Sequence, residues 1–201
     1  MSIYLGSHKI NGLYLGSQKI GSIYLGSQKV YSSAPAIPYV TIGNQIWMSV
    51  NLAIDDGQGG ITTKTVQYDV YSEEEVVEYY YTWDAAVRVA NSIAGWHLPS
   101  NDEWTTLVNT VGSSPGKKLK STYGWNNSGN GTDDYGFCAL PAGSVNGGTL
   151  SNFGTYAYIW TSSTSGSSAY RRRLSYSSST SVQSNTAGKY YGYSVRLVKD
   201  S

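Results

Sequence analysis

Few residues of this chain could start acid–base or nucleophilic chemistry. It holds two histidines, His8 and His97, and one cysteine, Cys138. His8 stands in a repeat whose other copies carry Gln18 and Gln28 at the same place, which argues against a catalytic imidazole. His97 sits in Gly95-Trp96-His97-Leu98-Pro99, ahead of a helix start, and is expected to hydrogen-bond structurally rather than to shuttle protons. No Ser-His-Asp order and no nucleophile elbow of the Gly-x-Ser-x-Gly kind is read in the sequence. A lone cysteine excludes an internal disulfide and a cysteine-rich zinc site. Its expected place is a small, buried apolar position.

Two other segments offer ligand chemistry. Residues 126–134 (Asn-Asn-Ser-Gly-Asn-Gly-Thr-Asp-Asp) are rich in oxygen. They lack the glutamate that closes an EF-hand loop, so a turn-rich loop is the first reading and calcium a weak second. Arg171-Arg172-Arg173 reads as alternating positions on a strand, with Arg171 and Arg173 outward and Arg172 inward.

The elements that must hold these residues are legible in part. Residues 39–48 read as a hairpin around Gly43-Asn44, residues 55–60 as a Gly-rich loop and residues 66–71 as a strand. Glu73-Glu74-Glu75 reads as a solvated charge run. Thr82 can cap a helix whose apolar positions Trp83, Ala86, Val87 and Ala90 follow a 3.6-residue period. Ser100 with Glu103 forms a capping box for a second helix through Trp104, Leu107, Val108 and Val111, ending at Gly112. Beyond it come short strands and long Gly/Ser/Asn loops. Two helices followed by a loop-rich β-half make an α+β domain.

Ahead of the domain stand three ten-residue units, each with Gly-Ser at a fixed place: Gly6-Ser7, Gly16-Ser17 and Gly26-Ser27. Two-residue turns there, and at Asn11-Gly12 and Gly21-Ser22, give six short strands. Tyr4 then faces Lys9, Ile3 faces Ile10, Leu5 faces His8, and Ile10 faces Leu13. One face collects Ile and Leu; the other collects Tyr4, Lys9, Tyr14, Lys19, Tyr24 and Lys29. So small a meander cannot bury its apolar face alone. Self-association is expected, with a trimer favoured over an intrachain flap. The organisation is therefore a repetitive β-meander over residues 1–31, a proline-containing linker over 32–38 and a domain over 39–201.

Composition narrows the function class. Net charge is +1, which gives no reason to expect nucleic acid or an anionic membrane surface. No apolar run reaches the length of a membrane span, and no membrane insertion is expected. The first residues show no basic-then-apolar leader, so synthesis in the cytoplasm is expected. Tyrosine numbers 19 against 2 phenylalanines, with 23 glycines. Tyr with Ser, Gly and Asn is the palette of recognition loops: large amphipathic contacts at low entropy cost, with adaptable hydrogen bonds around them.

Four segments resemble a known family. They are Gly95-Trp96-His97-Leu98-Pro99-Ser100-Asn101-Asp102-Glu103-Trp104, residues 130–137 with 139–143, Ile159-Trp160-Thr161-Ser162-Ser163, and Gly192-Tyr193-Ser194-Val195-Arg196-Leu197-Val198-Lys199-Asp200. Their order and span resemble the Fibrobacter succinogenes major paralogous domain. The resemblance implies a C-type-lectin-like fold related to the formylglycine-generating branch, with framework positions at Ala169, Arg172 and Leu174. That branch works with a cysteine pair, which one cysteine cannot supply. The N-terminal units resemble those of gut-bacteriophage tail proteins, and the class resembles the variable proteins of diversity-generating retroelements.

These readings converge on a non-enzymatic binding protein without a cofactor. The expected ligand surface comprises Tyr156, Tyr158, Ser165, Ser167, Ser168, Tyr170, Arg171, Arg173, Tyr176, Ser184, Asn185, Tyr190 and Tyr191. Tyr170 and Tyr176 fall on the inner strand parity and enter only as strand ends. Trp160, Gly192, Val195 and Arg196 are expected to be framework. The expected partner is a protein or glycan receptor on a bacterial cell surface. The expected place is a phage tail tip, or alternatively a bacterial surface adhesin or lipoprotein.

Overall fold

The structure is a computed structural model. It describes the backbone of residues 3–5, 8–10, 14–15, 18–19, 22–25 and 28–32, and residues 37–68 and 74–200 with their side chains. The chain divides into two compact units, Met1–Ile37 and Pro38–Ser201.

The first unit carries β1 (Ile3–Leu5), β2 (His8–Ile10), β3 (Tyr14–Leu15), β4 (Gln18–Lys19), β5 (Ser22–Leu25) and β6 (Gln28–Ser32). β1 pairs with β2 in the expected register, Ile3 with Ile10, Tyr4 with Lys9 and Leu5 with His8. Tyr14 likewise faces Lys19, and Tyr24 faces Lys29. In the third unit a bulge after Ile23 places it opposite Tyr31. Among the described residues the six strands form three separate hairpins, not one continuous meander. The expected pairing of Ile10 with Leu13 lies outside the described residues.

The second unit mixes helices with antiparallel strands. β7 (Tyr39–Ile42) and β8 (Gln45–Met48) form the expected hairpin, with Gly43 at a φ of 62° in the turn. Of the strand expected over residues 66–71, Val66 ends β9 (Ile61–Val66), which pairs with β10 (Val76–Tyr81); Gln67 and Tyr68 follow that strand, and residues 69–71 lie outside the described residues. The sequence reading missed β10. Its three consecutive tyrosines and buried Glu78 do not show the clean alternation that marks a half-exposed strand.

The first helix, α1 (Trp83–Asn91), starts where Thr82 accepts a hydrogen bond from the Ala85 amide. Its buried face is Ala85, Ala86, Val89 and Ala90, so the expected positions Trp83 and Val87 are corrected to half-buried. Trp83 is drawn outward because its indole donates to the Thr161 carbonyl at 2.8 Å. A short strand, β11 (Trp96–His97), precedes α2 (Asn101–Val111), whose capping box is fully formed. Trp104, Leu107 and Val111 of α2 are buried, and Gly112 ends it. The sequence reading passed over α3 (Pro115–Leu119), too short to show a period.

The remaining strands are β12 (Ser144–Asn146), β13 (Thr149–Ser151), β14 (Tyr156–Ser165), β15 (Ser168–Ser175), β16 (Gln183–Gly188) and β17 (Val198–Lys199). One sheet has the order β11-β17-β8-β7, and another the order β14-β15-β16. Residues 192–198 bind them together. Tyr193 exchanges backbone hydrogen bonds with Tyr81, Ser194 joins Tyr158 and Trp160, and Val195 and Leu197 accept from Leu52 and Met48. The core packs Trp47 and Trp104 tilted against each other and each edge to face with Phe137, with ring centres 4.9–5.9 Å apart, onto Ile159 and Leu174 of the second sheet. No helix among the described residues is long and apolar enough to cross a membrane.

Candidate ligand-binding face

β15 sorts its side chains as strand geometry demands. Arg172 and Leu174 are buried; Arg171, Arg173 and Ser175 are half-exposed. Arg172 donates to the Asn101 carbonyl at 2.5 Å and to Thr105 Oγ1 at 2.8 Å, joining the sheet to the first turn of α2. Arg171 and Arg173 go the other way and lie on tyrosine rings. The guanidinium of Arg171 sits 4.4 Å from the ring centre of Tyr158 and 5.6 Å from that of Tyr193; Arg173 sits 4.9 Å from Tyr156. Arg173 also donates to the Gln183 side chain on β16.

Under and beside these cations runs a row of tyrosines. Tyr156, Tyr158, Tyr193, Tyr191 and Tyr190 follow one another with ring centres 5.4, 5.1, 5.7 and 4.7 Å apart. Offset aromatic contacts at these spacings hold one another rigid. Trp160 closes the row from below, 4.5 Å from Tyr193, with its indole donating to the Tyr81 carbonyl at 2.8 Å. Burial pushes the Tyr193 phenol up to about 12, with the Arg171 charge opposing, so Tyr193 stays neutral over the physiological range.

The structure brings together Tyr156, Tyr158, Arg171, Arg173, Tyr190 and Tyr191 of the expected residues. Asn185 sits opposite Arg171 in the register and shares its face. Ser165, Ser167 and Ser168 lie at the β14–β15 hairpin; Ser167 and Ser168 line a shallow cleft with Asp84, Lys189 and Tyr190. Three expected positions face elsewhere. Tyr170 has the parity of Arg172. Ser184 pairs with Arg172 and donates to Asn101 Oδ1 at 2.7 Å, toward α2. Tyr176 packs against the core. Tyr158 is buried, at 7% exposure, because Arg171 and Tyr193 cover it. It supports the surface rather than forming it. Tyr193 was missed as a member of the row, although Tyr191-Gly192-Tyr193 has the alternation that would have found it. The expected framework residues Trp160, Gly192, Val195 and Arg196 are all buried.

Chemically competent groups are tied up elsewhere. His97 Nδ1 lies 2.6 Å from Asp200 Oδ1, and Nε2 lies 2.7 Å from Glu103 Oε1. Each nitrogen must carry a proton to donate to its carboxylate, so the imidazolium fits the site. Burial disfavours that charge, but the two carboxylates outweigh it and hold the pKa above its ordinary value. Cys138 is half-buried rather than fully buried, and sits at a φ of 50°. Its amide donates to Asp133 Oδ1 at 2.7 Å, and burial together with that carboxylate pushes the thiol up, away from a nucleophilic thiolate. Contrary to expectation, the sequence does hold one Gly-x-Ser-x-Gly spacing, Gly112-Ser113-Ser114-Pro115-Gly116. Ser114 there has a φ of 58° but follows α2 rather than a strand, and the described imidazole is engaged with Asp200 and Glu103.

The oxygen-rich loop is organised by a lysine. Lys120, 2% exposed, donates to the Gly129 carbonyl at 2.6 Å and the Ser175 carbonyl at 3.0 Å, and lies 4.9 Å from the Trp125 ring centre. Gly131 must be glycine here, since a Cβ would meet the Lys120 carbonyl at 2.2 Å. Among the described residues no group of three or more His, Cys, Asp or Glu is placed to hold a metal ion.

A concavity of about 520 Å³ shares no lining residue with the tyrosine row. Val50, Val76, Val77 and Tyr123 form its apolar rim, and Cys138 and Glu78 lie within it. Glu78 is buried and accepts from the Tyr68 hydroxyl at 2.9 Å and from Asn51 Nδ2 at 3.0 Å. Arg196, fully buried, donates to Asn51 Oδ1 and to the Met48, Phe137 and Cys138 carbonyls. This network closes on itself and ties the loop at Cys138 to the segment ahead of β17.

The sequence model of the Fibrobacter succinogenes major domain matches residues 40–199. The chain belongs to that family. Comparison with curated proteins and with solved structures gives no match.

Proposed function

We propose that this chain is a non-catalytic ligand-binding protein whose receptor surface is the tyrosine–arginine face of β14, β15 and residues 190–193. The observation that carries this is the row from Tyr156 to Tyr190 with two guanidiniums stacked on it. It is set on a frame of buried Trp160, Arg172 and Arg196. Tyrosine and arginine are the side chains that dominate binding when truncated, by about 2 kcal/mol or more at the strongest positions. A rigid frame lets such positions vary without loss of the fold. The engagement of His97 and the raised Cys138 thiol support a role without catalysis or cofactor.

The finer reading is a C-type-lectin-like fold at a phage tail tip, displaying a surface diversified by a retroelement to a protein or glycan receptor on a bacterial cell. The N-terminal hairpins would be its trimerising stalk. The N-terminal repeats and the Tyr/Ser-rich C-terminal half support this reading over a bacterial surface adhesin of the same family. A near-identical template repeat and a reverse transcriptase gene in the flanking DNA are expected; their absence favours the adhesin.

The site itself is tested by labelling a panel of bacterial strains with the fluorescent full chain. Tyr190→Ala with Tyr191→Ala should abolish labelling and keep the melting temperature within a few degrees. A library varied at Tyr156, Arg171, Arg173, Asn185, Tyr190 and Tyr191 should stay folded. Mostly unfolded members would show that these residues are core and that the site lies elsewhere.

A further inference from the structure

We infer that the face takes an acidic, extended polypeptide segment of its receptor. This rests on the reading of that face as the binding surface. Three observations point to the ligand class. First, the chain has no Asp or Glu between Asp134 and Asp200, while Arg171, Arg172, Arg173, Lys189, Arg196 and Lys199 fall within that stretch. Arg172 and Arg196 are buried in the frame, and Lys189 lies over the Trp83 ring at 3.9 Å. Arg171 and Arg173 remain half-exposed on the face, and no carboxylate is hydrogen-bonded to either among the described residues. Asp84 lies at the cleft beside Tyr190, and the charge of Asp102 acts on Arg172, the inward-facing arginine.

Second, the two guanidiniums are presented in a fixed pose. Ring stacking occupies their faces, and Arg171 Nε and Nη1 and Arg173 Nε are buried without a hydrogen-bond partner, donors that a carboxylate seated on the face would satisfy. Arg edges match carboxylates in two-point geometry, and Arg held on an aromatic ring loses less freedom on binding than a free side chain. Third, β16 is the edge of its sheet. Its residues Gln183, Ser184, Asn185 and Thr186 are exposed, and the strand carries neither charge nor proline. Natural edges are usually blunted by such residues; an open one is a template for an added strand. Only a polypeptide can use that edge, which favours an acidic peptide over an acidic polysaccharide.

The test titrates the full chain against fluorescein-labelled poly-L-glutamate, polygalacturonate and poly-L-lysine by anisotropy, at low and high salt. Poly-L-glutamate should bind saturably. Arg171→Gln with Arg173→Gln should weaken it at least tenfold, while Lys117→Gln, an exposed cation on α3, should change it less than twofold. Replacing Thr186 by proline on the β16 edge should weaken it several-fold and leave polygalacturonate unaffected. Equal binding of polygalacturonate with no effect of the proline overturns the polypeptide and leaves charge alone. A selection from random displayed peptides separates this proposal from the reading beneath it. Enrichment of Asp and Glu is expected. Neutral peptides whose binding is lost in Tyr190→Ala overturn the acidic class and leave the face as the site. Peptides unaffected by Tyr190→Ala and by the arginine pair overturn both.

Discussion

Arg171 and Arg172 are chain neighbours that point to opposite sides of one strand, the first onto the ring of Tyr158 and the second into the first turn of α2. Their substitution should therefore separate binding from stability. Arg172→Ala removes hydrogen bonds to the Asn101 carbonyl and Thr105 and opens a buried space, at a cost of about 2–4 kcal/mol. Arg171→Ala should cost under about 1 kcal/mol, as for a partly exposed cation–aromatic contact. Urea titration of both variants checks this. Equal losses would show that the strand does not divide the two roles.

That division was readable from alternation alone, because β15 has one face on the core and one partly in solvent. The helix caps were readable for a similar reason: Thr82 and Ser100 act through neighbours three residues away. β14 was harder. Ala157 to Thr161 are all buried, so no alternation survives, and Tyr158 reads as a surface tyrosine when it is covered by Arg171 and Tyr193. The tyrosine row joins residues from β14 and from the segment after β16. Only the tertiary pairing of Ser194 with Tyr158 places them together. Lys120 and Glu78 were invisible for the same reason, since their partners lie across loops.

Trp104 is fully buried among Trp47 and Phe137, and its indole nitrogen has no hydrogen-bond partner. Trp104→Ala should cost about 3–5 kcal/mol, the range of large-to-small core changes. Trp104→Phe loses volume but also removes an unsatisfied buried donor, and should cost only about 1 kcal/mol. Denaturant midpoints of the two variants decide it. A loss under 1 kcal/mol for the alanine variant would mean that α2 does not pack on the sheet.

The His97 clasp predicts a pH window. Its folded pKa is raised above the ordinary 6.5, so its contribution is full below that value and is lost as pH rises through the folded pKa. Glu103 is shifted the opposite way: burial opposes, but the Ser100 amide and His97 hold it below its ordinary 4.5. Its contribution is present above 4.5 and is lost as pH falls through the lower folded value. The melting-temperature gap between the parent and His97→Gln should be widest near pH 5.5 and should narrow by pH 8.5. A gap that does not change across this range would show that His97 is not held as the imidazolium.

The proposed stalk predicts a concentration-dependent assembly. The second unit, Pro38–Ser201, contains the whole described core, so a chain lacking residues 1–37 should be a folded monomer. The full chain should be a homo-oligomer, most simply a trimer, because hairpins of two to five residues per strand cannot bury an apolar face within themselves. Light scattering at micromolar concentration distinguishes these. A monomeric full-length chain would leave the apolar face to some other cover.

Lys120 predicts how the oxygen-rich loop responds to cations. Its ammonium already engages the Gly129 and Ser175 carbonyls, the kind of oxygens that a calcium ion would use. Burial lowers its pKa, and the Lys117 charge adds to that; three polar or aromatic contacts hold it in place despite the burial. Lys120→Met keeps most of the stem but leaves two carbonyls unpaired, at a cost of about 1–3 kcal/mol. Amide exchange at Gly129 and Gly131 should quicken in that variant, since both residues pack against this junction. In the parent chain, millimolar calcium or a chelator should move the melting temperature by less than about one degree, because binding to the folded state alone must stabilise it. A calcium-dependent rise would show that the loop binds the ion with its own oxygens, beside or in place of the ammonium.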